Sequence, residues 1–518
     1  MFSFQNASYQ TKVSRSGNPM ETSQNLIAEL TQPNRITFLY YNIRNNVDFG
    51  MATAAEIVTD DYKTKYGFSD PTPYLQSGLK GLSEEVIKEI SRIRDEPIWM
   101  EEFRLKAYRH FVERPLPTWG VDLSPINFQE FYYYAQPIKE TAKSWEEVPQ
   151  EIRNTFEKLG IPEAERKFLA GVGAVYESQE VYNSLQAELK KQGVIFTSVG
   201  NAVKEFPDLV KKYFGTIVPP NDNKFAALNS AVWSDGPFIY VPEGVKIPMP
   251  LQSYFRINAK GMGQFERTLI IAEPESEVQY VEGCTAAMYD KSMLHAAVVE
   301  LCAKKGSIIK YITIQNWSKN VYNLVTKRAH AYEDANVTWL NGELGSGRNM
   351  KYPSVYLLGR NAKAEIMSMA YAGANQIQDT GGKVIHLASD TSSKIISKSV
   401  SKDGGSAIYR GLLHIARGAH NVNSVVRCDA LLVDERSRTS TFPYMEVMAD
   451  DATVTHEASV GKVGEDQLFY LMSRGISERD ALSMIVNGFV EPFTRELPMT
   501  YAVELNRLMA LEMSGAVG

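Results

Sequence analysis

Ser307-Ile308-Ile309-Lys310-Tyr311-Ile312-Thr313-Ile314 decides how this chain is read. Most of its residues are β-branched or aromatic and the run is short, which marks a strand. Similar segments stand on both sides. Before it come Thr268 to Ala272, Val278 to Val281 and Ala297 to Leu301. After it come Val337 to Leu340, Ser354 to Leu358, Lys383 to Leu387, Lys394 to Ser397 and Ala407 to Arg410. The clearest breaks are Asp334-Ala335-Asn336, Gly342 to Gly347, Gly381-Gly382 and Asp403-Gly404-Gly405. From about Arg267 to Val460 helical periodicity is absent, and most segments start roughly ten to twenty residues apart. An all-β sandwich and a β-helix both fit that spacing. No tight repeat is visible, so spacing alone leaves the two open.

Outside this region the pattern is helical. From about Leu26 to Lys212 the chain reads as mixed and helix-rich. Leu82, Ser83, Val86, Ile87, Ile90 and Ile93 describe a helix capped by Ser83, with Leu82 stapled against Ile87. A second helix starting near Pro97 buries Trp99, Met100, Phe103, Ala107 and Phe111. The aromatic cluster Phe128, Phe131, Tyr132, Tyr133 and Tyr134 is expected to pack. Further helices are expected over Glu163 to Ala170, Glu180 to Lys191 and Ala202 to Phe214. Gly171-Val172-Gly173 lacks a preceding strand and the third glycine of a dinucleotide fingerprint. Toward the C-terminus, Asp466 to Arg474 ends at Gly475, Ser477 caps a helix, and Pro498 opens a last one. The expected organisation is a flexible tail over 1–19, a helix-rich domain over 20–220, a β core over 221–463 and a helical domain over 464–518.

The chain has 518 residues, too many for one simple core, and a net charge of −6 that argues against nucleic acid or anionic membrane as partner. Its three cysteines, Cys284, Cys302 and Cys428, form no Cys-x-x-Cys, which excludes a zinc knuckle or a permanent ferredoxin-type cluster. Nothing resembles a secretory signal and no apolar run is long enough to span a bilayer. Reduced thiols in a cytoplasmic protein are therefore expected. The acid-free start, Met1 to Pro19, is a weak transit-peptide signal that keeps a plastid stromal location as the lesser expectation.

Chemistry concentrates between Arg427 and Glu457. Cys428 precedes the pair His456-Glu457, and a thiolate, an imidazole and a carboxylate can bind iron or zinc. They can equally form a nucleophile with its base. Val426, Cys428, Ala430 and Leu432 share one strand face, which also suits a packed cysteine. His456 and Glu457 cannot both face one site from a regular strand. Asp429, Asp434, Glu446 and Glu457 leave room for the rival reading of a β-helix carbohydrate-active enzyme.

Several stretches together resemble the SufB family, the scaffold subunits of the Suf iron–sulfur cluster assembly system. They are Ser253 to Asn258, Val281 to Thr285, Gln315-Asn316-Trp317, Val325 to Arg328, Arg427 to Ala430, Asp466 to Gly475, Gly488 to Pro492 and Gly515 to Gly518. The resemblance implies a right-handed parallel β-helix core between N-terminal and C-terminal helical domains. It implies a complex with SufD through the β-helices, a SufC ATPase docked on the C-terminal helices, and sulfur from the cysteine desulfurase SufS with SufE or SufU. Apo iron–sulfur proteins would receive the product, a transient four-iron four-sulfur cluster. A reduced flavin is left open, since no residue here establishes it. The Cys-x-x-Cys-x-x-x-Cys motif of some relatives is absent.

On this resemblance Cys428 is the cluster ligand, with Glu457 favoured over His456 as its companion. Cys284 is the sulfur acceptor. Thr313, Gln315 and Trp317 share one strand face, as do Arg256 and Asn258, and with Lys327 they either line the sulfur path or lie on an outer face. Cys302 reads as core. No Walker-type motif occurs, so the chain is expected to be a scaffold rather than an ATPase. The remaining alternative is a structural, SufD-like subunit.

Overall fold

The β segments pair in parallel, each with the segment one full coil away. The structure, a computed structural model, describes residues 79–142, 144–158, 169–286 and 292–514, which belong to one unit, Asp60–Gly518. One sheet carries eight parallel rungs in the order Leu251–Ile257, Glu277–Ala286, Ile308–Trp317, Asn336–Gly345, Lys363–Ala372, Ser392–Ser401, Asn423–Leu432 and Thr453–Lys462. The facing sheet runs through Pro237–Val241, Arg267–Ala272, Val298–Ala303, Val321–Ala331, Arg348–Lys351 with Ser354–Leu357, Ile377–His386, Ser406–Ile415 and Arg438–Val447. The chain alternates between the sheets, so each coil supplies one rung to both. This is a β-solenoid with flanking helices, and the sandwich is excluded.

Register partners Glu277↔Ile308, Ile308↔Asn336, Asn336↔Lys363, Lys363↔Ser392, Ser392↔Asn423 and Asn423↔Thr453 lie 31, 28, 27, 29, 31 and 30 residues apart. Two residues before six of these rungs the backbone turns a corner in the left-handed region, at Glu275, Gly306, Asp334, Asn361, Asp390 and Asn421. Glycine adopts that conformation freely, and Asn and Asp tolerate it best among the rest. Their side chains stitch coils together: Asn361 Nδ2 donates to Asp334 Oδ1 at 3.0 Å, and Asn421 Nδ2 to Asp390 Oδ1 at 2.7 Å.

Between the sheets, register stacks Tyr280, Tyr311, Trp339, Ile366, Ile395 and Val426 in one row. Ring centroids lie 4.9 Å apart for Tyr280–Tyr311 and 5.0 Å for Tyr311–Trp339. Removing such side chains from water is the main stabilising term, roughly 25 cal/mol per Å² of apolar surface. The outer face of the first sheet, including Ile312, Leu340 and Met369, packs on Val486, Val490 and Phe493 of the helix Glu478–Thr494 and on Leu505 and Leu508 of Met499–Ser514. The outer face of the second sheet, including Leu269, Ile271 and Cys302, packs on Met100, Val210, Phe214 and Trp233. Cys302 is a packed core residue, as expected.

Among the described residues most helix signals flanking the solenoid are met, but the helix expected over Ala202 to Phe214 divides at Pro207 into Val199–Glu205 and Pro207–Tyr213. Ser83 Oγ accepts the Val86 N–H at 3.3 Å ahead of Glu84–Ile93, and Ser477 Oγ accepts the Asp480 N–H at 3.2 Å. The helix expected over Glu180 to Lys191 is a correction. Gln179–Leu185 is a strand antiparallel to Gly171–Tyr176, and only Ala187–Lys191 is helical. Val181 and Tyr182 pack on Val172, Ala174 and Tyr176, so burial in a hairpin overrides local helical spacing. The expected tail over 1–19, most of the Glu163 to Ala170 segment, and Gly515 to Gly518 lie outside the described residues. Among the described residues no helix is long and apolar enough to cross a membrane.

Candidate functional site

Cys284 sits on Glu277–Ala286, where Val278, Tyr280, Glu282, Cys284 and Ala286 alternate into the solenoid. Its thiol donates to Glu282 Oε1 at 3.5 Å, and the Tyr311 hydroxyl donates to Glu282 Oε2. Lys327 reaches across from the facing sheet. Its Nζ lies 3.8 Å from Glu282, donates to Thr313 Oγ1 at 2.5 Å, and stands 4.5 Å from the centroid of the Tyr311 ring. Burial pushes the Cys284 thiol well above its ordinary range, and the Glu282 and Glu266 carboxylates push it the same way. Burial also lifts Glu282, but the Lys327 ammonium and the Tyr311 hydroxyl outweigh it and hold that carboxyl low. Lys327 is drawn down to about 8, chiefly by burial.

The polar interior continues outward from this group. Gln315 Oε1 accepts from Asn323 at 2.8 Å and from Lys351 at 3.4 Å, and Lys351 pairs with Glu343. Asn323 donates to Asn349, which donates to Gln378, at 2.9 Å each. His295 faces Asn323 Oδ1 through Nδ1 and Glu266 Oε1 through Nε2, both at 2.5 Å, and its ring lies 4.6 Å from that of Trp317. Thus Thr313, Gln315, Trp317 and Lys327 do gather around Cys284. Arg256 does not. Register sets Phe255 beside Cys284, and Phe255 and Ile257 share its apolar cluster. Arg256 therefore lies on the opposite face, and just past the strand Glu177 Oε1 accepts the Asn258 backbone N–H at 3.0 Å.

Register also aligns Glu282, Thr313, Asn341, Ser368, Ser397 and Cys428 in a single row on the inner face. With rungs ~4.8 Å apart, the five steps carry the row about 24 Å from the neighbour of Cys284 to Cys428. All six side chains are buried. Among the described residues neither the amide nitrogen nor the amide oxygen of Asn341 has a hydrogen-bond partner. Asn341, Ser368 and Ser397 escaped the sequence reading because only the coil period brings them into line.

Cys428 is 4% exposed, packed with Val426, Leu413 and Tyr409. Burial pushes its thiol up to about 11; the Tyr409 hydroxyl beside it opposes that and Asp429 reinforces it. The adjacent Arg427 does not activate it. Arg427 Nε donates to Asp429 Oδ2 at 3.0 Å on the other face, where Lys398 also holds Asp429 at 3.1 Å. The next rung, Thr453–Lys462, ends its sheet, and Arg438–Val447 ends the facing one. Register places His456 beside Val426, on the face of Cys428, and Glu457 beside Arg427, on the opposite face. Both are exposed at this open end. Apolar side chains are exposed here too, Tyr444 at 59% and Val460 at 60%.

Comparison with known proteins agrees with this architecture. Residues 255–489 match the family model for the SUF system FeS cluster assembly, SufBD core domain, and residues 88–253 match the SufBD protein N-terminal region. Iron-sulfur cluster assembly SufBD family proteins of Staphylococcus haemolyticus and Staphylococcus aureus are 55% identical over 458 residues, covering 88% of this chain and 98% of each relative.

Proposed function

The chain belongs to the SufBD family of iron–sulfur cluster assembly proteins, and from that membership we propose that it is the SufB-type scaffold on which sulfur and iron meet. The observation that carries this reading is the buried polar row from Glu282 to Cys428. A purely structural, SufD-like subunit has no use for two thiols at the ends of such a row. In this proposal Cys284 accepts sulfur from a donor persulfide. Glu282 Oε1, which already receives the thiol hydrogen, takes the proton; the thiolate attacks the terminal sulfur; the donor thiolate leaves. A thiol reductant then supplies two electrons and two protons, breaks the S–S bond, restores the Cys284 thiol and frees hydrogen sulfide, which the row Thr313, Asn341, Ser368 and Ser397 leads toward Cys428.

Cys428 and His456 supply part of a cluster site at the open end, and a partner supplies the rest. Glu457 joins only if the last rung turns over, since it faces away in the isolated chain. A ligand set this incomplete suits cargo, a four-iron four-sulfur cluster, that must leave for apo proteins. The open sheet ends suit SufD. Exposed Phe469, Tyr470, Met484 and Met499 on the C-terminal helices suit the SufC ATPase, with SufS and SufE or SufU as sulfur source. The proposed units remain 20–220, 221–463 and 464–518. No residue supports assigning a flavin.

The carbohydrate-enzyme reading loses its carboxylates. Asp429 is held by Lys398 and Arg427, Asp434 accepts the Asp403 and Ser437 N–H groups, and Glu446 faces His414 at 2.9 Å. Anaerobic reconstitution with ferrous iron and sulfide tests the scaffold proposal. Iron-dependent visible absorption should develop and be lost in Cys428→Ser; its absence from the unaltered chain, with partners present, refutes the scaffold role.

A further inference from the structure

The proton acceptors around Cys284 outnumber what a sulfur relay needs. A carboxylate oxygen of Glu266, one of Glu282 and the Cys284 sulfur lie within 4.8 Å of one another, all buried. Among the described residues three acids meet here with two ammonium groups: Lys327 serves Glu282 and Lys351 serves Glu343. Among the described residues the Glu266 side chain has only His295 as a hydrogen-bond partner, on Oε1. Its Oε2 is buried with no hydrogen-bond partner, although the side chain is 1% exposed. A buried carboxylate oxygen left unsatisfied bears the full cost of losing its water. Two carboxylates against a thiol also oppose its ionisation, unless a cation sits between them.

We propose that Glu266, Glu282 and Cys284 form a binding site for a divalent transition-metal ion, ferrous iron by preference, inside the solenoid. Magnesium and calcium demand oxygen ligands throughout, whereas a thiolate with two carboxylates suits a borderline transition ion. Binding replaces the thiol proton by a sulfur–metal bond and releases that proton to solvent. His295 acts as a positioning residue. By holding Glu266 Oε1 it leaves Oε2 for the ion, the arrangement in which an outer partner orients a ligating carboxylate. The site would bring iron to the residue at which sulfur enters, rather than to Cys428 alone.

Cobalt(II), a spectroscopic substitute for ferrous iron, tests this without sulfide or desulfurase, so the result is independent of the sulfur path. In Cys302→Ser/Cys428→Ser, Cys284 is the sole thiol. Titration should give near-ultraviolet thiolate-to-cobalt absorption that disappears when Cys284→Ser is added. Glu266→Gln, which keeps the shape and the His295 contact, and Glu282→Gln should each weaken binding at least tenfold with circular dichroism unchanged. No such absorption in the folded sole-thiol protein, or unchanged affinity in both glutamine variants, overturns the proposal. The unaltered chain provides a second readout. Ferrous iron should slow alkylation of the Cys284 peptide at least tenfold, measured by mass spectrometry, and equal rates with and without iron overturn the proposal.

Discussion

At the level of single residues, Cys428 gives the most direct expectation. Its thiol is pushed up to about 11, so the native state keeps the proton where an unfolded chain loses it. That contribution to stability is complete below about pH 9 and is lost as pH rises through 11. Alkylation of Cys428 in the isolated chain should therefore keep accelerating up to about pH 11. A plateau near pH 9 would show an ordinary exposed thiol. The sequence supplied the identity of this residue and the alternation of its strand, which was enough to separate His456 from Glu457. It could not say which of the two shares the face of Cys428, because that depends on register against a strand a whole coil away. The choice between an inner and an outer face for Arg256 stayed open for the same reason. Its own strand has the expected alternation, but Phe255 is what register sets beside Cys284.

At the level of elements, the corner positions carry the coil. Asn361 holds the left-handed conformation at φ 59° and hydrogen-bonds to Asp334 one coil away. Asn361→Val should cost about 1–2 kcal/mol, since a β-branched residue is disfavoured there. Asn361→Gly should lose only the side-chain bond, about 0.5–1.5 kcal/mol. Urea unfolding that ranks glycine below valine would contradict this. Asp334-Ala335-Asn336 was readable as such a corner, as was Asp403-Gly404-Gly405. The repeat itself was not, because coils of 27 to 31 residues carry two strands each and share no tight motif. The hairpin Gly171–Leu185 was missed because its helix-like spacing is overruled by packing on Trp145, Phe156 and Tyr176, which no local pattern reveals.

At the level of the whole molecule, the solenoid is closed by helices along its sheets and open at its last rungs. The Thr453 N–H bonds to Val422 O, so on Thr453–Lys462 the odd-numbered N–H groups point inward and even-numbered ones, Ala458 among them, point to the unpaired side. Ala458→Pro should leave the chain folded, as proline is tolerated on edge strands, yet abolish sheet continuation with a partner. Co-purification with SufD should fall at least tenfold; undiminished recovery of the complex would rule out pairing through this edge. The central claim is that sulfur travels inside the solenoid along the row ending at Cys428. Asn341→Leu tests it most directly, because it replaces a buried amide by an apolar group of the same branched shape. With radiolabelled sulfur supplied by a desulfurase, and with a thiol reductant and ferrous iron present, the variant should melt no earlier than the unaltered chain and load Cys284 normally, while labelled iron-bound sulfide at Cys428 falls at least tenfold. Label arriving at Cys428 at the unaltered rate in that variant would contradict the account.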